Sequence, residues 1–174
     1  MAKRIVTRIG DIFSVILDNG NLRFFQYIAN DLSCLNSSVI RVFKKEYPKG
    51  YELKPEEVVL GEVDFYAHTV LRWGITEGGW QKVSKCNVLG DTENILFRTF
   101  SRDYILRDCL KMENDHKERI WEAWYINKEW FTIGKLTEEL RLKSDIGPVF
   151  PYTDIIARIK TGVYPGTAYW PEEH

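Results

Sequence analysis

Asp18-Asn19-Gly20 lies between two runs of β-branched and aromatic residues, Ile12-Phe13-Ser14-Val15-Ile16-Leu17 and Leu22-Arg23-Phe24-Phe25-Gln26-Tyr27-Ile28. Asn-Gly accepts positive φ at low cost and closes a tight turn whose twist matches that of its flanking strands. The spacing predicts a hairpin over residues 4–17 and 22–29, so the chain begins as antiparallel sheet. Further strands follow the same logic. Val39-Ile40-Arg41-Val42-Phe43 places Val39, Arg41 and Phe43 on one face. Between Glu62 and Thr69, Val63, Phe65 and Ala67 alternate with Asp64, Tyr66 and His68. Gln81 to Cys86 and Asn94 to Phe100 read as strands, and a second hairpin is expected from Ile120–Ile126 and Trp130–Leu136 around Asn127-Lys128-Glu129.

Helical signals are sparse. Thr153 to Thr161 sets Ile155, Ile156 and Ile159 on one face, with Gly162 placed to cap it. Lys54 to Val59 fits either a short helix with Pro55 in its first turn or an extended linker. Trp73 to Trp80 is expected to be a loop or wide hairpin end, because Gly78-Gly79 favours a turn, and Gly61, Gly74 and Gly90 read as turn glycines too. A charged surface stretch is expected over residues 101–119. Aromatics make up 14% of the chain, with six Trp, which suits broad rings on pleated faces. The expected fold is mainly β (α+β): a strongly bent antiparallel sheet or partly open β-barrel, with a short C-terminal helix packed on it. No Pro/Gly/Ser linker divides the chain, so residues 1–174 are read as a single composite domain.

Lys plus Arg is 24 and Asp plus Glu is 25, a net charge of −1. That balance excludes a generic polyanion binder and a strongly acidic nucleic-acid mimic. Ala2-Lys3-Arg4 is basic, but no sustained apolar stretch follows, and no run approaches the ~20 residues of a membrane helix. A cytoplasmic chain is expected, with Cys34, Cys86 and Cys109 as free thiols.

Local signatures of chemistry are missing. There is no GxxxxGK[ST] loop, no dinucleotide fingerprint and no HExxH. His68, His116 and His174 are scattered, so neither a metal nor another cofactor is expected. Asp64 and His68 share a strand face but stand about 13 Å apart along it, which excludes an Asp–His pair within that strand. Glu56-Glu57 and Glu138-Glu139 read as solvated faces, and Cys86 beside Lys85 as a small core residue. No residue is assigned a catalytic role. The expectation is a binding protein, not an enzyme. Trp73 and Trp80 flank a turn and are the candidate partner anchors, with Glu77 and Asp64 as polar contributors. Basic and aromatic residues interleave at Arg41-Val42-Phe43-Lys44-Lys45 and Arg98-Thr99-Phe100-Ser101-Arg102. Such mixtures can stack bases and hold phosphates, so a small nucleic-acid-binding β-barrel, or a barrel-fold RNase, is the alternative. Trp73…Trp80-Gln81-Lys82-Val83-Ser84-Lys85 echoes Trp124…Trp130-Phe131-Thr132-Ile133-Gly134-Lys135; two hairpins of similar sheet chemistry explain it better than a duplicated module.

Gly10-Asp11-Ile12-Phe13-Ser14-Val15 leads into Asp18-Asn19-Gly20 and an aromatic strand. Val63-Asp64-Phe65-Tyr66 and then Trp80-Gln81-Lys82-Val83-Ser84-Lys85 follow. In this order the motifs resemble the immunity protein 26 family of bacterial polymorphic-toxin systems, over roughly residues 5–98. The resemblance implies an immunity-like β module extended by a hairpin and helix over residues 99–174. It also implies that the partner is a cognate toxin, bound and blocked without catalysis.

Overall fold

The computed structural model describes residues 5–101 and 120–165. β1 (Asp11–Ile16) and β2 (Leu22–Asp31) form the expected hairpin, with Ile16 opposite Leu22 and Ile12 opposite Gln26. At its tip Gly20 has φ +82°, and Asn21 N donates to Asn19 Oδ1 at 2.9 Å. β3 (Ser37–Phe43) and β4 (Val63–Thr69) extend the antiparallel ladder. Between them Pro55 starts α1 (Pro55–Val59), which settles that segment as helix. After β4 come α2 (Leu71–Thr76) and β5 (Gln81–Lys85), which pairs back onto β1.

A second sheet holds β6 (Leu96–Phe100), β7 (Trp121–Tyr125) and β8 (Phe131–Gly134). Then α3 (Glu138–Lys143), β9 (Ser144–Ile146), β10 (Val149–Phe150) and α4 (Tyr152–Thr161) complete the described chain. The strand orders are β10-β4-β3-β2-β1-β5 and β8-β7-β6-β9. The fold is mainly β, and neither sheet closes into a barrel among the described residues. Register shifts interrupt the β1–β5, β2–β3 and β3–β4 ladders, and bulges of this kind bend a sheet.

Each sheet is mixed. β9 lies parallel to β6 and β10 parallel to β4. Neither strand was expected, because runs of three and two residues leave no alternation to read. Only Gly147 and Pro148 separate them, so the chain passes from one sheet to the other in a single step. A Cβ on Gly147 would fall within the ring of Trp124, so only glycine lets the backbone pass there.

One face of the six-stranded sheet carries Phe13, Phe25, Ile40, Val42 and Phe65, covered by Trp80, Ile155 and Ile159 from beyond β4. Phe13 and Phe25 stack at 5.0 Å, and Trp80 meets Phe25 edge-on at 5.1 Å. The other face packs Ile12, Phe24 and Phe43 under Val58 and Val59 of α1. Ile28 and Val39 join Phe97, Trp124 and Ile126 in a cluster that binds the two sheets together.

α4 is the predicted C-terminal helix, and Gly162 caps it at φ +86°. Arg23 locks it down. Its Nη1 donates to Ile159 O at 2.8 Å, Nη2 to Phe43 O at 2.7 Å, and Nη2 also to Asp64 Oδ2 at 2.6 Å. A cation thus satisfies a carbonyl that the helix end leaves without an intrahelical partner.

Two readings of the sequence are corrected. Trp73 to Trp80 is not a loop or hairpin end throughout, because Leu71–Thr76 is helical. Leu71, Gly74 and Ile75 recur at helical spacing and face the core, while Gly78, at φ +73°, makes the expected turn. Gly74 is a helix residue, and its missing side chain makes room for the Trp80 ring. The tryptophan echo spans unlike elements, since Trp73 lies on α2 and Trp124 on β7. The charged stretch beyond Ser101, Cys109, His116 and His174 lies outside the described residues.

Candidate functional site

β2 ends in a carboxylate. Asp31 is fully buried where the two sheets meet, and its side chain gathers five donors. His68 Nε2 lies 2.9 Å and Trp124 Nε1 3.0 Å from Oδ2. Ser33 N at 3.0 Å, Ser33 Oγ at 2.5 Å and Asn127 N at 3.0 Å donate to Oδ1. Burial alone raises a carboxyl pKa. Here the bonds from His68, Ser33, Asn127 and Trp124 outweigh it and hold Asp31 well below the usual carboxylate range. With Asp31 ionised, Nε2 of His68 must carry the proton. Its Nδ1 is buried with no hydrogen-bond partner among the described residues. Both side chains have 0% exposure, so the imidazole is closed to any substrate in this conformation. The arrangement supports architecture: one anion fixes a strand end, an indole and two turns.

Those turns are the ones at the rim. Cys34 N bonds Asp31 O at 3.3 Å, and Ser37 N bonds Cys34 O at 3.1 Å, giving two successive turns between β2 and β3. Leu35 (φ 54°) and Asn36 (φ 52°) are the central residues of the second, both left-handed. Asparagine tolerates that region. A leucine there costs about 1–2 kcal/mol. Asn127, at φ 59° in the β7–β8 turn, ties down the same loop, its Oδ1 accepting from Leu32 N at 2.7 Å and its Nδ2 donating to Asn30 O at 3.0 Å.

The residues singled out as partner contacts fall in different places. Trp73 is 58% exposed on α2. Glu77, one turn on, caps α2, its N–H donating to Trp73 O at 2.9 Å, so these two share one surface. Trp80 is only 2% exposed, with Nε1 donating to Leu71 O at 3.1 Å, and it belongs to the core beneath that surface. Asp64 is the second residue of β4 and pairs with Arg23, whereas Trp73 follows the far end of that strand. About 17 Å of strand stands between Asp64 and the start of α2.

Two arginines of the mixed stretches, Arg41 and Arg98, are committed inside the fold, whereas Lys44 and Lys45 are exposed. Arg41 is buried, with Nε and Nη2 donating to Gln26 Oε1 at 2.9 and 2.7 Å and Nη2 to Val88 O at 2.7 Å. Burial draws its pKa below the usual guanidinium value. Arg98 is buried beneath α3 and bonds Ser144 O. Lys44 pairs with Glu62, and Lys45 sits 4.8 Å over the Tyr47 ring. Two open clefts are bordered by described residues. One, of ≈ 220 Å³, lies between Ser14, Trp80, Gln81, Ile156 and Lys160; the other, of ≈ 170 Å³, between Tyr66, Asp91, Asn94, Lys143 and Asp145. Both fall short of the roughly 300 Å³ at which small-molecule sites begin.

No family model matches the chain, and neither the curated proteins nor the solved structures offer a match. Among the described residues no cluster of three or more His, Cys, Asp or Glu has a geometry that holds a metal, and no helix is long and apolar enough to cross a membrane. Sequence reasoning missed Asp31. Its partners lie 37 and 93 residues away. The turn leucines also carried no signal, since a left-handed leucine is invisible without the backbone.

Proposed function

We propose that this chain is a non-catalytic binding protein, specifically an immunity protein that neutralises a cognate bacterial toxin by covering it. The observation that carries the reading is Trp73, a large aromatic ring held out in solvent on a short helix whose underside is pinned by Trp80. An aromatic side chain on a rigid base binds with little loss of conformational entropy, the usual property of an interface anchor. The closed Asp31–His68 pair supports a role without chemistry at that place. The inward commitment of Arg41 and Arg98 weighs against the nucleic-acid alternative. The ordered motifs of residues 5–98, which resemble the immunity protein 26 family, point to a toxin as the partner.

Co-expression with the protein encoded beside this chain tests the proposal. The expected result is a stable complex and protection of the cell. Trp73→Ala should weaken that complex about thirtyfold, ~2 kcal/mol, while leaving the fold intact. Neither complex nor protection would overturn the toxin reading. Salt-sensitive binding of single-stranded RNA would put the nucleic-acid alternative in its place.

A further inference from the structure

Leu32 is 72% and Leu35 86% exposed, both on the β2–β3 turn. Exposed leucines are common and carry no message when they stand alone on relaxed backbone. Leu60 and Leu142 are of that kind, one at the right-handed C-cap of α1 and one on α3. Leu35 differs in three respects. Its backbone is left-handed, a conformation that asparagine or glycine adopts at less cost. Its side chain is almost wholly outside the fold, so no burial offsets that strain. The turn is also held from behind by Asp31, a buried carboxylate with five donors, and from the side by Asn127. Strain retained on a rigid support, with an apolar tip facing water, is the pattern of a residue kept for contact.

We propose that Leu32 and Leu35 form an apolar anchor pair that inserts into an uncharged apolar pocket on the chain's protein partner. The inference rests on the reading of this chain as a binding protein and adds the second contact point of that interface. Charge identifies the occupant. Between Asn30 and Ser37 the only charged side chain is Asp31, which is buried, and the adjoining turn carries one charge of each sign, Lys128 and Glu129. A loop that enters an anionic lipid surface needs a basic cluster, and among the described residues these two turns offer Lys128 alone, offset by Glu129. A pocket without charge on a folded partner is the complementary surface. Trp73 belongs within reach of the same partner. Ser38 pairs with Thr69. Leu35 is three residues from the first and Trp73 four from the second, so the two lie at most about 30 Å apart. An interface of standard size, about 800 Å² per partner, spans roughly that distance.

The test is calorimetric titration of the purified neighbour-encoded protein into wild type, Leu35→Asn and the double variant Leu32→Ser/Leu35→Asn, with thermal melts of all three. Leu35→Asn is expected to raise Tm by a few degrees, through relief of the turn, and to weaken binding at least tenfold. The double variant is expected to weaken it further. Unchanged affinity in both variants beside a wild type that binds would overturn the anchor pair and leave the binding reading standing. A wild type that does not bind would overturn both. Leucine-dependent binding to phosphatidylcholine/phosphatidylglycerol vesicles would also overturn the proposal, since the occupant would then be lipid.

Discussion

Trp124 donates its indole N–H to Asp31 at 3.0 Å, joining β2 of one sheet to β7 of the other through a single carboxylate oxygen. His68 bonds the same oxygen from β4. Removing the charge from Asp31 therefore loosens both sheets at once. Asp31→Asn is expected to cost about 2–4 kcal/mol at neutral pH, measured by chemical denaturation.

The pH dependence has a definite sign. A carboxyl whose folded pKa is depressed stabilises the fold above its unfolded value of about 3.9, and that contribution is lost as pH falls toward the folded value. Wild-type stability should hold from neutral pH to about 5 and decline in acid. The gap between wild type and Asp31→Asn should narrow over the same range. Two parallel curves would show that the carboxylate's charge is not what matters.

Gly147→Ala separates crowding from backbone strain. An added methyl at Gly147 meets the Trp124 ring, whereas one at Gly50 meets nothing, and there only the left-handed φ of +84° is at stake. The first should cost about 2–3 kcal/mol and alter the near-ultraviolet circular dichroism of the tryptophans; the second should cost about 1 kcal/mol without that change. Equal losses would mean that the crossover is more tolerant than its packing indicates.

Trp73 and Trp80 are seven residues apart and should behave as opposites. Trp80→Ala empties the core beside Phe25 and is expected to cost about 3–5 kcal/mol. Trp73→Ala should stay within about 0.5 kcal/mol of wild type. A large stability loss from Trp73→Ala would remove it as a probe of binding.

Arg23→Lys tests the clamp on α4. A lysine offers one nitrogen where the guanidinium bonds Phe43 O, Ile159 O and Asp64. The expected loss is about 1.5–3 kcal/mol, with faster amide exchange in the last turn of α4. Unchanged exchange there would place the arginine's role within the sheet alone.

What could be read in advance follows the range of the physics involved. The Asn19-Gly20 turn, the alternation of β4 and the apolar face of α4 are local, and each element was legible from its own residues. α2 was misread because two glycines follow it and because Gly74, taken as a turn residue, serves packing. β9 and β10 are too short to show a period and exist because β6 and β4 offer parallel edges. The candidate surface was legible in part. Trp73 and Glu77 do share it, but Trp80 turned inward, since only the fold decides which of two turn-adjacent tryptophans finds a core. Asp31 depends on contacts from β4 and β7 and could not be found without the strand register.

The step through Gly147 and Pro148 also sets an order of events. The edges of β4 and β6 are filled by residues 144–150, which a ribosome makes after every strand they complete. Until then both sheets carry an unpaired inner edge, the kind of surface that pairs with other chains. The turn that presents Leu35 takes its final shape only when Trp124 and Asn127 have arrived. A nascent chain can thus form the first hairpin early, yet it presents its rim loop to a partner only after β7 and the turn that follows it have been made.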